Sequence, residues 1–221
     1  MFAEILGPSA VGKSTALKAL CAKYDKIIGP DGLKSVLSKE DYRFYMDFFD
    51  FGEFINGCVH IISTSKMRPS QKISALSMLN NTSRKHFDRL LAVDKKSHYL
   101  QDELFLHRSF SLLCFSDDLK KVSEWYFRAV PIPDVAIFFD ASPDVILKRH
   151  KARAVSVNSY MYKDDGELLE IIKRSSIMYE VAKEVLHSRG VLIQELDANC
   201  SPSKALIKLE KIGKEIGVIC E

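Results

Sequence analysis

Near its amino end the chain runs Gly7-Pro8-Ser9-Ala10-Val11-Gly12-Lys13-Ser14, followed by Thr15. The spacing is G-x-x-x-x-G-K-[ST], and each residue type in it has a physical reason. Glycines let the backbone curl until successive N–H groups point inward at phosphate oxygens. A helix opening near Lys13 adds the positive end of its dipole. Lys13 would neutralise β- and γ-phosphates as a compact charge, and Ser14 would offer a hydroxyl to Mg²⁺. Four fixed positions of this kind arise by accident in roughly one chain per hundred at ordinary glycine abundance. Here the match also sits between a short apolar run and a helical period, as the mechanism requires. Gly7, Ser9, Ala10, Val11, Gly12, Lys13, Ser14 and Thr15 are therefore the candidate nucleotide-binding residues, for ATP or GTP with Mg²⁺.

Working outward, Phe2 to Leu6 is an apolar run with one acid, and Leu17, Leu20 and Cys21 recur at helical spacing after the loop. Residues 26–29 suit a second short strand, closed by the turn Pro30-Asp31-Gly32. Residues 33–93 read mainly as helix, with Ile73, Leu76, Leu79, Phe87, Leu90 and Leu91 near a helical period after Pro69. A short strand is expected over 97–101 and a helix over 117–128, striped by Leu119, Val122, Trp125 and Tyr126. Val135-Ala136-Ile137-Phe138-Phe139 runs apolar without alternation, which fits a parallel strand covered on both faces. Ser142-Pro143-Asp144 then opens a helix to about Arg153. A polar stretch over 155–165, a long helix over 167–187, a strand over 191–196 and a helix capped by Ser201 or Ser203 complete the chain. Strands alternating with helices predict a three-layer α/β/α sandwich around a central parallel sheet, as one domain over 1–221.

Composition sets bounds on partners. The 221 residues are 47% hydrophobic and 28% charged, enough apolar material for one core. The net charge is only +3, and the basic residues are scattered. A nucleic-acid partner would call for a concentrated basic face, so none is expected. Cys21, Cys58, Cys114, Cys200 and Cys220 stand apart with no C-x-x-C pair, as reduced thiols of a cytoplasmic protein do. No run is long enough to span a bilayer, and Glu4 stands where a signal peptide needs positive charge.

Asp102-Glu103 follows Tyr99-Leu100-Gln101, so a carboxylate pair would emerge at a strand's C-terminal end, where ligands bind in open parallel sheets. One acid, Asp102, could hold Mg²⁺ through water while the other orients or deprotonates an acceptor hydroxyl. An acidic helix N-terminus would favour the same residues for its own sake. Arg149 and Arg153 lie four apart, on one helix face leading into the 155–165 stretch. The aromatic run over 42–51 puts Phe44, Phe48 and Phe51 on one helical face and Tyr45 and Phe49 on another. An aromatic acceptor could lie there, with Arg43 or Arg68 reaching an anionic group. The six histidines show no metal-ligand spacing, although His107 lies near the carboxylate pair.

The phosphate loop, the carboxylate pair, Asp140-Ala141-Ser142-Pro143-Asp144 before Leu147-Lys148-Arg149, and Leu196-Asp197-Ala198 before Ser201-Pro202 together resemble thymidylate-kinase-like and deoxynucleoside-kinase-like P-loop kinases. The resemblance spans most of the chain, and the phosphate loop is its specific part. It implies that 33–93 binds the acceptor, that 150–165 is a lid, and that Arg149 and Arg153 stabilise charge during transfer. It also implies that Ala198 borders the nucleotide and that Asp31 stands where deoxynucleoside kinases carry a general base. Thymidylate kinases usually read Asp-Arg at the carboxylate pair and deoxynucleoside kinases Glu-Arg. Here the pair is Asp-Glu, with Arg108 displaced downstream as an acceptor contact.

The expected activity is transfer of the γ-phosphoryl group of ATP to a nucleoside, a nucleoside monophosphate or a sugar-like metabolite. A nucleotide-driven switch acting through a protein partner is the alternative, with Asp102-Glu103 serving hydrolysis. An Asn/Thr-Lys-x-Asp guanine motif is absent, and a lid that keeps water from the phosphoryl group favours the kinase. The oligomeric state stays open, a homodimer included.

Overall fold

The computed structural model describes residues 1–29, 52–91, 98–152 and 164–219. Asp31, Arg43, Phe44, Arg153 and the aromatic run before Gly52 lie outside the described residues, as does most of the expected lid.

Five strands form one parallel sheet: β1 (Phe2–Leu6), β2 (Ile27–Ile28), β3 (His98–Gln101), β4 (Val135–Asp140) and β5 (Leu192–Asp197). Their spatial order is β2-β3-β1-β4-β5. The register pairs Glu4 with Gln101 on one side of β1 and with Ala136 on the other. Because every pairing is parallel, the C-terminal ends of all five strands open on one edge. The chain runs outward through β2, returns to β3 beside β1, and then crosses to β4. That reversal around β1 makes a crevice at the C-terminal edge, the usual ligand position in such sheets.

Helices cover both faces. They are α1 (Lys13–Lys23), α2 (Gly52–Thr64), α3 (Pro69–Leu91), α4 (Phe105–Leu113), α5 (Leu119–Ala129), α6 (Pro143–Lys151), α7 (Asp165–Ser188) and α8 (Pro202–Glu215). Alternation along the strands divides the core into two layers. Leu6, Ala136 and Phe138 pack with Phe54, Phe105, Leu106, Tyr126 and Met178, from α2, α4, α5 and α7. Ala3, Ile5, Val135, Ile137 and Phe139 pack with Leu17, Leu20, Ile146 and Leu209, from α1, α6 and α8. The outcome is the expected three-layer sandwich. β1 and the apolar part of β4 are buried throughout, whereas β5 lies at the rim and leaves Leu192 exposed. No described helix is long and apolar enough to cross a membrane.

Sequence periodicity missed α4. Seven of its nine residues are buried, including Ser109 and Ser111, and at only nine residues it is too short for its apolar spacing to stand out in sequence. A short buried helix and a buried strand give similar apolar runs. The helix expected over 117–128 is present but starts at Leu119, because the Asp118 carboxylate accepts the Lys121 N–H and caps it.

Candidate functional site

The 7–14 loop follows β1 directly at the open edge. Gly7 has φ +143, and a Cβ there would meet the Phe139 carbonyl oxygen of β4 at 2.4 Å. Gly12 has φ +112 with room around it, so backbone conformation alone requires glycine at that position. Ala10 also takes a positive φ of 66, a left-handed conformation that costs an ordinary residue about 1–2 kcal/mol. Strain of this kind persists where a fold enforces it, and it often marks a binding loop.

Gly12 is the N-cap of α1 and supplies no side-chain acceptor, and the first turn holds no acid. The helix thus presents the N–H groups and dipole end that an anion satisfies. Lys13 is buried, and its Nζ donates to the carbonyls of Gly7 and Pro8, both at 2.8 Å. In this state the ammonium completes its own loop. A phosphate would offer it charged oxygens, with which hydrogen bonds are stronger. Ser14 is exposed at the start of α1.

Arg149, on α6, reaches the back of this loop. Its guanidinium donates to Val11 O at 2.8 Å, to Ala198 O at 2.9 Å and to Cys200 O at 2.7 Å. One side chain therefore ties the loop to the turn after β5, where Ala198 lies. Asn199 braces that turn again: its Oδ1 accepts Ser142 N–H, and its own N–H and side-chain amide donate to Asp197. Lys208 donates to both the carbonyl and the carboxylate of Asp197. Those bonds, the Lys208 one first, depress the Asp197 carboxyl to about 2.

Across β1, Asp102 and Glu103 emerge from β3 as expected, and their surroundings differ. Asp102 is only 3% exposed, and among the described residues its Oδ2 has no hydrogen-bond partner. An unpaired buried carboxylate oxygen is costly, which points to a missing hydroxyl, water or cation. Glu103 is half-exposed and contacts Lys85 Nζ at 2.5 Å and Arg108 at 3.6 Å. Burial pushes its pKa upward, but Lys85, Arg108 and Lys13 overcome this and hold it below the usual value. Arg108 also donates from Nε to Thr82, which is fully buried on α3. The His107 Nδ1 is likewise sealed without a partner. Burial, followed by the charges of Lys13, Arg108 and Lys85, holds this imidazole well below its ordinary value, so it is neutral. Tyr179, on α7, also carries a buried hydroxyl without a hydrogen-bond partner among the described residues.

The structure thus gathers Lys13, Asp102, Glu103, His107 and Arg108 at one edge, with Arg149 and Ala198 behind the loop. Arg68 stands apart from these, paired with Glu167 at the start of α7 at 3.5 Å. Lys85, Thr82 and Tyr179 escape sequence reading, because a lone polar residue on a long helix carries no local signal. Among the described residues no group of three or more His, Cys, Asp and Glu could cage a metal.

No protein-family model and no curated protein sequence matches the chain. Solved structures do match. One is a deoxyadenosine kinase from M. mycoides, a structure with products dCMP and a flexible dCDP bound. It has a TM-score of 0.59 and 14% identity, covering 98% of this chain and 100% of that one. Another is a thymidylate kinase from Candida albicans, at TM-score 0.55 and 13% identity, covering 100% of this chain and 95% of that one. At such identities the fold is what is shared: this chain has the architecture of P-loop nucleoside and nucleotide kinases.

Proposed function

We propose that this protein transfers the γ-phosphoryl group of ATP to a hydroxyl or phosphate oxygen of a nucleoside or nucleoside monophosphate. The observation that carries the reading is Asp102: a buried carboxylate with an unpartnered oxygen, one strand away from a glycine loop whose helix start lacks any side-chain cap.

In this reading the loop amides and Lys13 hold the triphosphate and offset charge that develops on the transferring group. Ser14 would hold Mg²⁺, with Asp102 behind a water; when bound, the ion supplies charge neutralisation at the phosphates. Asp102 orients the acceptor and takes its proton as the acceptor oxygen bonds to the γ-phosphorus and the bond to the β-phosphate oxygen breaks. Glu103, held ionised by Lys85 and Arg108, shapes the acceptor side. Arg149 keeps the loop and the Ala198 turn in fixed relation, so the nucleotide meets a site already shaped. Arg153, Asp31, Arg43 and Phe44 complete the proposal as lid and acceptor residues. Arg68 borders the lid through Glu167. Cys21, Cys58, Cys114 and Cys200 are free thiols, which supports a cytoplasmic setting.

The test is ADP release from MgATP by purified protein, screened against nucleosides, nucleotides and sugars beside Lys13→Ala. Stimulation by one acceptor class, abolished by the substitution, supports the kinase and names its substrate. Steady ADP release that no acceptor changes would replace it with a nucleotide-driven switch.

A further inference from the structure

β1 is a buried apolar strand with a carboxylate at its centre. Glu4 is 1% exposed and lies on the face of Leu6, toward α4 and α5. Burying a carboxylate in a sheet is costly unless its oxygens are hydrogen-bonded, and apolar residues are the rule in such strands. Its Oε1 accepts the backbone N–H of His107 at 2.9 Å, across 103 residues of chain. His107 is the third residue of α4, so this N–H is one of the donors that a helix start leaves without an intrahelical partner. The local N-cap, Leu104, has no side chain able to accept it. Glu4 does from the neighbouring strand what a capping residue ordinarily does from within the chain.

The same residue holds the other end of the turn. Through the main-chain ladder Glu4 is paired with Gln101, the residue before Asp102. Asp102-Glu103-Leu104 is therefore gripped on one side by the backbone of Glu4 and on the other by its carboxylate. Tyr126 adds a second fixture: its hydroxyl donates to Phe105 O at 2.6 Å, pinning the first residue of α4 to α5.

We propose that Glu4 is a positioning residue, which caps α4 and thereby sets where the Asp102 carboxylate stands relative to the phosphate loop. Its consequence for rate rests on the kinase reading above; the cap itself does not. Glu4 lies on the far side of β1's peptide plane from Ile5 and the layer of α1, so its loss should spare the nucleotide grip.

The experiment compares wild type with Glu4→Gln, Glu4→Leu and Glu4→Asp. It measures kcat, the Kd for ADP without Mg²⁺, and amide hydrogen exchange at His107. Gln keeps an acceptor oxygen at the same reach, Leu removes it, and Asp keeps the carboxyl group but withdraws it by one methylene. Misplacing a reacting group by about 1 Å is expensive, so Leu and Asp should lower kcat by about 10- to 100-fold, with Gln within about threefold of wild type. The Kd for ADP without Mg²⁺ should hold within about twofold in all three, since the phosphate contacts are untouched. His107 exchange should be slow in wild type and Gln and fast in Leu and Asp. If Leu fails to fold, Asp carries the comparison. Equal kcat in Gln, Leu and Asp overturns the proposal, as does a loss of nucleotide affinity in step with kcat. A wild type that phosphorylates no acceptor sinks the kinase reading and the rate claim with it. Fast exchange at His107 in wild type removes the cap whatever the activity.

Discussion

Around the glycine loop, cationic side chains end on main-chain carbonyls: Lys13 on Gly7 and Pro8, Arg149 on Val11, Ala198 and Cys200. Around the Asp102–Glu103 turn, they end on a side chain, with Lys85 and Arg108 sharing the Glu103 carboxylate. The first arrangement is fixed by the backbone and exists before any ligand arrives. The second joins side chains that are 39% and 47% exposed in the Lys85–Glu103 pair, and exposed pairs contribute little and rearrange at small cost. The unpaired buried atoms Asp102 Oδ2 and His107 Nδ1 also lie on this second side. The difference teaches that the glycine loop is held by main-chain acceptors, whereas the Asp102–Glu103 turn is held by side chains; on the proposed reading, the nucleotide side is then preorganised and the acceptor side is completed by what binds there.

Removing the charge at the centre should have the largest effect. Lys13→Ala is expected to lower acceptor-dependent turnover by about 100- to 1,000-fold or more, since it removes preorganised stabilisation of developing charge. Asp102→Asn tests the Asp102–Glu103 side: kcat should fall about 100-fold, the lower range for losing a proton acceptor, while the Kd for ADP measured without Mg²⁺ stays put. A parallel loss of nucleotide affinity would show that the halves are not separable. Arg149→Ala should do the opposite. Bonds from a charged donor to backbone contribute about 1.5–3 kcal/mol each, so losing three should lower the melting temperature by about ten degrees or more. We expect the nucleotide Kd to rise about tenfold, a change of about 1.4 kcal/mol, with the acceptor KM unaltered.

The smallest expected effect is in acid. The Asp197 carboxyl is depressed from 3.8 to about 2, so its contribution to stability is complete above 3.8 and is lost as pH falls toward 2. Glu103 is also depressed, from 4.5, and its contribution fades as pH falls below that value. Urea midpoints measured against pH should flatten below 4.5 in Glu103→Gln and between 3.8 and about 2 in Asp197→Asn. A curve that neither substitution changes would mean these pairs are solvated ornaments on both sides.

Much of this was readable without coordinates. The 7–14 loop declares itself because its chemistry is local: the glycines, Lys13 and Ser14 must stand at fixed spacing on one turn. β4 was equally plain, since a strand covered on both faces has no polar alternation. Asp102-Glu103 could be placed at a strand end, but not divided into roles. That division needed Lys85 and Thr82 from α3, which pair with or hold the groups around Glu103 and leave Asp102 free of them. Arg149 was expected over the phosphates from its resemblance. What the sequence did not show is that its guanidinium lies on three carbonyls from two loops, because which carbonyls converge on a helix is set by packing.

Sequence alone determined the glycine loop between β1 and α1, the alternation of strands with helices and the sheet edge on which the acids emerge, because each depends on neighbours along the chain. The tertiary structure decided that Glu4 accepts the His107 N–H at the start of α4, that Arg149 joins two loops, and that Asp102 keeps an unpaired oxygen while Glu103 is paired with Lys85 and Arg108. Those outcomes depend on hydrogen bonds between residues tens to more than a hundred positions apart, whose geometry comes into being only when the sheet and its two helical layers have packed.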